Sequence, residues 1–383
     1  MSSPRSSAPA PETVQHAARD ARAVTIKAGA STYEALVGPG VAGEIGPAIQ
    51  RAGLNGRPRV IADRTIWERY GDTLAASLGT LGRDVQVLPA DAGEERKTLA
   101  SVEAMYDWLI EVGTDRGDFL VAVGGGVIGD MVGFVAATFL RGIPVVQVPT
   151  TLLAQVDSSI GGKTGVDHRL GKNLIGAFHQ PSLVVADTRL LESLPTRDYV
   201  SGWAEIVKMA MIRDADLFRT LEANAEALLR FENPVLLGDV IRRAIDLKGQ
   251  VVGADEREAG LRIILNYGHT IGHALEAATG YRHLLHGEAV AIGMRGAGFI
   301  ARQRGTLSTA NFAAQQALLG RFGLPSRADG IAADDLVGPL SRDKKARGST
   351  IQWVLATGIG AVTTARDVSA DELQAALLEI GCS

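Results

Sequence analysis

The chain has 383 residues, 46% of them hydrophobic and 21% charged, and its 39 Lys and Arg against 43 Asp and Glu leave a net charge of −4. This balance describes a globular protein of about two domains and gives no overall support for nucleic-acid binding. A single cysteine, Cys382, excludes an intrachain disulfide framework and fits a reducing, cytoplasmic setting. No run of about 20 uninterrupted apolar residues occurs, so no membrane span is expected. Residues 1–22 open with MSSPRSSAPAPE, which lacks the apolar stretch of a secretory signal. Their Ser, Pro and Ala content predicts a disordered tail, with an organellar transit peptide as the alternative.

From 23 to 189, short apolar runs alternate with helical patterns: Arg59 to Asp63, Val85 to Leu88, Phe119 to Val123, Val145 to Val148 and Leu183 to Ala186. That rhythm predicts an α/β domain with a mostly parallel sheet. FLVAV runs into Gly124-Gly125-Gly126, and a helical pattern follows through Gly129-Asp130. Bare backbone N–H groups at such a strand-to-helix turn can approach a phosphate-bearing cofactor. The spacing G-G-G-x-x-G-D departs from the usual dinucleotide fingerprint, and the same glycines also suit a tight, closely packed turn. Gly161-Gly162-Lys163-Thr164 ends like a P-loop, but its first glycine would have to fall on Asp157, whose carboxylate would oppose phosphate. An ATPase or kinase is therefore excluded. Lys163 and Lys172, each next to a glycine and near Asp157, are expected as anion binders in a loop.

From 190 to 383 the pattern is mainly helical, with a helix opening at Pro195-Thr196. Glu205 and Lys208 are spaced i,i+3 and share one helix face, and Trp203, Ile206, Val207 and Met209 around them argue against full exposure. Four of the seven histidines fall in the 28 residues from Leu261 to Glu288. His269 and His273, spaced i,i+4, would share a helix face. His286 lies 17 positions beyond His269, about 25 Å along a continuous helix. The two can meet only if the chain doubles back, and Thr279-Gly280-Tyr281 offers the break. A new helix is expected to open at Glu288 and Ala289. With a carboxylate from elsewhere, two histidines would form an open, catalytic type of zinc site. A strand pair, Ile351 to Leu355 with Ala361 to Thr364, and a helix from Ala370 complete the expected elements.

Eight stretches in this order, GEERKT, VAVGGGVIGD, QVPTTLLAQVDSSIGGKTGVD, GKNLIGAFHQP, SGWAEIVK, DEREAGLRIILNYGHTIGHALE, HGEAVAIGM and RDKK, resemble the 3-dehydroquinate synthases of the sugar phosphate cyclase family. The resemblance runs from about Arg59 to Leu355. It implies an NAD-binding α/β domain, a helical metal-binding domain, a site in the cleft between them and a homodimer. It also implies Glu205, His269 and His286 as the ligands of zinc or cobalt, and it moves His273 to a catalytic position with Lys163, Lys208, Lys248, Arg262 and Asn266. Substrate contacts are implied for Arg141, Asp157, Lys172, Asn173 and Lys344. On the NAD side the implied residues are Asp63, Glu94, Lys97, Gly125, Gly126, Asp130, Thr150, Thr151 and the run Leu190, Leu191, Glu192, Ser193, with Lys163 and Lys172 also near the cofactor.

The implied substrate, 3-deoxy-D-arabino-heptulosonate 7-phosphate, carries a carboxylate and a phosphate, which suits a pocket lined by Lys and Arg. The implied reaction oxidises it transiently with NAD, eliminates inorganic phosphate, returns the hydride and closes the carbocycle by an intramolecular aldol step. Sister cyclases act on substrates without this carboxylate, and Lys248, Arg262, Asn266 and His273 keep the dehydroquinate synthase pattern. A metal-dependent alcohol dehydrogenase of the glycerol dehydrogenase type would share the layout but not need the cations at Lys163, Lys172 and Arg262. A non-catalytic binding protein would not need a complete ligand set.

Overall fold

The computed structural model describes the backbone of residues 22–346 and 351–383, and the side chains of 22–340 and 351–383. Residues 1–21 of the expected tail lie outside the described residues. The chain opens on two antiparallel strands, β1 (Ala23–Ala28) and β2 (Ser31–Gly38), and a short helix, α1 (Ile45–Arg51). Strand and helix then alternate through β3 (Pro58–Asp63), α2 (Arg64–Gly79), β4 (Gln86–Ala90), α3 (Leu99–Glu111), β5 (Phe119–Gly124), α4 (Gly126–Thr138) and β6 (Val145–Pro149). A hairpin of β7 (Lys163–His168) and β8 (Gly171–Phe178) precedes β9 (Leu183–Asp187).

The seven-stranded sheet has the order β1-β2-β9-β6-β5-β3-β4 and is parallel except for β1. Every residue of β5, β6 and β9 is buried. Continuous apolar runs of this kind belong at the centre of a sheet covered on both faces. The chain goes from β3 out to the edge strand β4, returns to β5 on the other side of β3, and moves on through β6 and β9. The direction of winding thus reverses between β3 and β5, the kind of switch point at whose carboxyl ends open α/β sheets bind ligands. Gly124-Gly125-Gly126 follows β5 at that end.

Beyond the sheet come α5 (Thr196–Arg213), α6 (Ala215–Leu229), α7 (Pro234–Ala254), α8 (His269–Ala278), α9 (His286–Gln303), α10 (Thr309–Arg321) and α11 (Ala333–Ala346). A strand pair, β10 (Trp353–Gly358) with β11 (Ala361–Ala365), and α12 (Ala370–Glu379) end the chain. Helix α5 is buried without a break from Ser201 to Ile212, and α9 from Ala289 to Met294, so the two form the middle of the helical part. Glycines set how closely α9 approaches α5 and the start of α8. A Cβ on Gly287 would lie 1.9 Å from the Ser201 carbonyl oxygen, and one on Gly293 1.9 Å from that of Gly268. Two cores flank the sheet, and in a third Ile26 and Tyr33 of the first two strands join Trp203, Ile241 and Val251 of the helices.

The α/β part followed by mainly helical elements is the architecture expected from the sequence. Two local features differ. Lys163, Lys172 and Asn173 lie on a β-hairpin rather than an irregular loop. Helix α9 begins at His286, two residues earlier than expected, because Glu288 closes a capping arrangement by accepting from the backbone N–H of Leu285 at 2.8 Å. No helix among the described residues is long and apolar enough to cross a membrane.

Candidate active site

Three elements bring the metal-type ligands together: Glu205 from the middle of α5, His269 from the first residue of α8 and His286 from the first residue of α9. The reversal between α8 and α9 is the predicted one, with Gly280 at φ 61° and Tyr281 at φ 59°. Glu205 is 1% exposed, and its Oε1 lies 3.5 Å from His269 Nε2 and 3.7 Å from His286 Nε2. Those spacings are too long for hydrogen bonds. They match the separation of about 3.4 Å between ligands tetrahedrally placed around a zinc ion. Neither Glu205 oxygen has a hydrogen-bond partner among the described residues, although the Lys208 ammonium approaches Oε2. A buried carboxylate faced by two imidazole nitrogens is a donor set that fits a divalent cation, with the Lys208 ammonium on the far carboxylate oxygen.

The electrostatics point the same way. Burial opposes ionisation of Glu205, but Lys208 and His286 outweigh it and hold the carboxyl at about 2. Burial also disfavours a charged His286, yet Glu205 and Glu276 push it up to about 10. Burial, then Lys208 and the other two imidazoles, hold His269 well below the usual histidine range. The same negative charge that draws a proton onto His286 draws a cation. His273 stands one turn past His269, exposed, with its ring centroid 5.2 Å from that of His269 and 6.1 Å from that of His286. It is not grouped with Glu205, so the fold separates the pair that spacing alone would have joined.

Beside this centre lie the cations. Lys248 is 6% exposed and donates from Nζ to the Asp157 carbonyl oxygen and to its Oδ1, both at 2.6 Å. Burial pushes the Asp157 carboxyl up, but Lys248 brings it below the usual range. Arg262, 2% exposed, donates to the carbonyls of Gly161, at 3.3 Å, and Glu256, and lies 5.9 Å from the centroid of the Phe178 ring. Lys163 Nζ is 2.5 Å from Glu258 Oε2, and Asn266 Nδ2 donates to Glu258 Oε1 at 2.8 Å. Glu258 was not anticipated. It joins two of the expected residues, and the acidic run Asp255, Glu256, Glu258 just before Arg262 was the signal that could have found it.

Lys172 pairs with Glu94 at 2.9 Å and lies 4.6 Å from the centroid of the Tyr281 ring, so the hairpin reaches from the sheet to the turn between α8 and α9. Lys97 donates at 2.6 Å to both Asp130 and Asn173. Burial raises the Asp130 carboxyl to about 6 against the pull of Lys97. Arg141 is exposed at φ 71°, and no described contact joins it to the other expected residues. The side chain of Lys344 lies outside the described residues.

At the carboxyl ends of the strands, Asp63 caps α2 by accepting from the Ile66 N–H at 3.1 Å, and the Thr150 N–H donates to the Gly124 carbonyl at 3.0 Å. Thr151 Oγ1 accepts from the Ala154 N–H at 3.1 Å. A Cβ on Gly124, Gly129 or Gly133 would collide with Ile128, Gln147 or Thr164, so close packing explains those glycines. Gly125 and Gly126 are half-buried at the first turn of α4, where N–H groups and the helix dipole favour an anion. Leu190 and Leu191 are buried in the cores, which leaves only their backbone for a ligand, while Glu192 and Ser193 complete the same turn.

Both halves of the chain match known proteins. Residues 87–201 match the model of the 3-dehydroquinate synthase N-terminal family, and residues 202–346 that of the C-terminal family. The chain is 45% identical to the 3-dehydroquinate synthase of Nostoc punctiforme over 348 residues, 90% of this chain and 96% of that protein. It is 46% identical to the Pelobacter propionicus 3-dehydroquinate synthase, covering 88% of this chain and 94% of that protein. Among solved structures it is similar to the 2-epi-5-epi-valiolone synthase of Streptomyces hygroscopicus with NAD+ and Zn2+ bound, with a TM-score of 0.84 and 32% identity, covering 91% of this chain and 97% of that one. A glycerol dehydrogenase from Schizosaccharomyces pombe, with a TM-score of 0.66 and 16% identity over 90% of this chain and 89% of that one, shares the fold alone. With this similarity spanning both halves, the chain belongs to the 3-dehydroquinate synthase family.

Proposed function

We propose that this chain converts 3-deoxy-D-arabino-heptulosonate 7-phosphate into 3-dehydroquinate and inorganic phosphate, with NAD and a zinc or cobalt ion as cofactors. The observation that carries the proposal is the set of buried Glu205 with half-buried His269 and His286, beside the cations Lys163, Lys208, Lys248 and Arg262. Solved relatives at 32% and 30% identity contain NAD+ with Zn2+ or Co2+, which supports the cofactor assignment. We assign residues 23–189 to NAD binding and 190–383 to the metal and substrate, and infer a homodimer in the cytoplasm. The homodimer is tested by sedimentation of the purified protein, which should run at twice the chain mass.

Glu205, His269 and His286 would hold the metal, and the crevice edged by Asp63, Gly125, Gly126, Asp130, Thr150 and Thr151 would hold NAD. When bound, NAD⁺ supplies a reversible hydride acceptor and the metal Lewis-acid polarisation of substrate hydroxyls. Lys163, Lys172 and Arg262 provide charge-assisted hydrogen bonds for the phosphate and carboxylate. Their present partners, Glu258, Glu94 and two backbone carbonyls, hold them in place. Lys208 and Lys248 add positive charge where oxyanions develop, so departing phosphate meets a prepared electrostatic environment. Asn266 orients the substrate, and the exposed imidazole of His273 moves a proton during ring opening and closure. The substrate phosphate can take the proton lost in elimination, so no further base is required.

The test supplies purified protein with the heptulosonate phosphate, catalytic NAD⁺ and Zn²⁺, with a chelated control. Stoichiometric phosphate and dehydroquinate, no net NADH, and loss of turnover on chelation are expected. No phosphate release would refute the assignment, and steady NADH accumulation with a simple polyol would replace it by a dehydrogenase.

A further inference from the structure

We propose that Glu276 is a positioning residue of the metal centre: its carboxylate takes the Nδ1–H of His286 and thereby turns the Nε2 lone pair toward Glu205. This rests on the metal-centre reading above. Glu276 follows His269 by seven residues, two turns of α8, so the two share a face. It is 6% exposed, and its Oε2 lies 3.4 Å from His286 Nδ1. The other nitrogen of the ring, Nε2, lies 3.7 Å from Glu205 Oε1. His286 therefore spans two buried carboxylates, one at each nitrogen.

A neutral imidazole has one N–H and one lone pair, and a hydrogen bond at one nitrogen decides which of them faces the other side. With Glu276 accepting at Nδ1, the Nε2 lone pair is left for a cation, and the negative charge behind the ring makes that lone pair more basic. His269 has the same support from a different source, because its Nδ1 lies 3.2 Å from the carbonyl oxygen of Tyr267. Only the His286 support comes from a side chain that substitution can remove. Glu276 also helps set where His286 falls. Its carbonyl accepts from the Tyr281 N–H at 2.8 Å and from Thr279 Oγ1 at 3.2 Å, which closes α8 where the chain reverses. Glu276, His273 and His286 also lie close enough to ligate a cation directly, a role the experiment separates from positioning.

The experiment titrates metal-free wild-type, Glu276→Gln and His286→Ala proteins with Zn²⁺ against a chromophoric chelator, and records the visible spectrum with Co²⁺ in its place. We expect one ion in wild type, none held tightly by His286→Ala, and one ion in Glu276→Gln with Kd raised about 10–100-fold. The Co²⁺ spectrum should be altered in Glu276→Gln. Equal Kd for wild type and Glu276→Gln would overturn the inference and leave the metal centre standing. A second ion in wild type that Glu276→Gln loses would make Glu276 a ligand, which also overturns it. No Zn²⁺ binding by wild type would remove the metal centre itself. Should Glu276→Gln fail to fold, the ¹⁵N resonances of His286 in zinc-loaded wild type decide: a proton on Nδ1 is expected, and its absence refutes the proposal.

Discussion

Glu205 and Lys208 sit one helical turn apart on α5, 1% and 2% exposed. Neither charge could be buried alone, since removing one partner of a buried pair costs about 3–5 kcal/mol. Arg262 follows a different logic. Its guanidinium rests on backbone carbonyls of Gly161 and Glu256, and Nε is buried without a partner among the described residues. Such a group is held in place with donor capacity to spare for a substrate anion. Arg262→Ala should lower kcat/KM about 10–100-fold, mainly through KM, the loss of a hydrogen bond to a charged group being about 1.5–3 kcal/mol. The dissociation constant for NAD⁺, measured by calorimetry, should stay at the wild-type value; an equal loss of NAD⁺ binding would refute the assignment. Most of these residues were legible from the motifs. Glu258 was not, because its role depends on meeting Lys163, 95 positions away in sequence.

Helix α9 shows how an element places a ligand. His286 opens it, Gly287 lets its first turn press on α5, and Glu288 takes two hydrogen bonds of 2.7 Å from Arg197 on α5. Gly287→Ala would put a methyl group 1.9 Å from the Ser201 carbonyl, forcing the helices apart. We expect a loss of about 1–3 kcal/mol in stability, with Zn²⁺ affinity reduced by at least tenfold as His286 is carried away from Glu205. Unchanged affinity would mean that the close approach does not set the site. At its far end α9 meets α12, where Arg304 grips Glu372 and Asp367. The Arg304 guanidinium, then the Ser369 N–H, hold the Glu372 carboxyl at about 2, below its usual 4.5. A depressed carboxyl stabilises the fold above its unfolded-state value and loses that contribution as pH falls. The pair is partly exposed and contributes about 1 kcal/mol. Denaturant midpoints of wild type and Arg304→Met should therefore differ near neutral pH and converge as pH falls from 4.5 toward 2. A difference that grows on acidification would contradict this sign. The hairpin β7–β8 was hidden from sequence reading for a physical reason: Gly165 and Gly176 permit a backbone approach that a Cβ would block, so the strands lack the β-branched alternation that marks others.

At the scale of the molecule, two ion pairs, Lys248 with Asp157 and Lys163 with Glu258, and the hydrogen bond from Arg262 to the Gly161 carbonyl tie the sheet half to the helical half. The metal centre lies wholly within the helices, so a bound ion should stabilise α5, α8 and α9 as one unit. At Zn²⁺ about 1,000-fold above Kd, linkage contributes about 4 kcal/mol. The melting temperature should rise by several degrees with Zn²⁺ and fall back on chelation, a response that His286→Ala should lose. The alternating apolar runs, the glycine turn after FLVAV and the break at Thr279-Gly280-Tyr281 were determined by the sequence, because local periodicity and backbone sterics act over a few residues. The motifs likewise marked the proposed ligands through their resemblance to a family. Only the tertiary structure brought Glu258 to Lys163 and set Glu276 behind His286. Those outcomes depend on where whole helices stop and how closely they pack, and a carboxylate acquires its partner only when elements far apart in sequence are folded against each other.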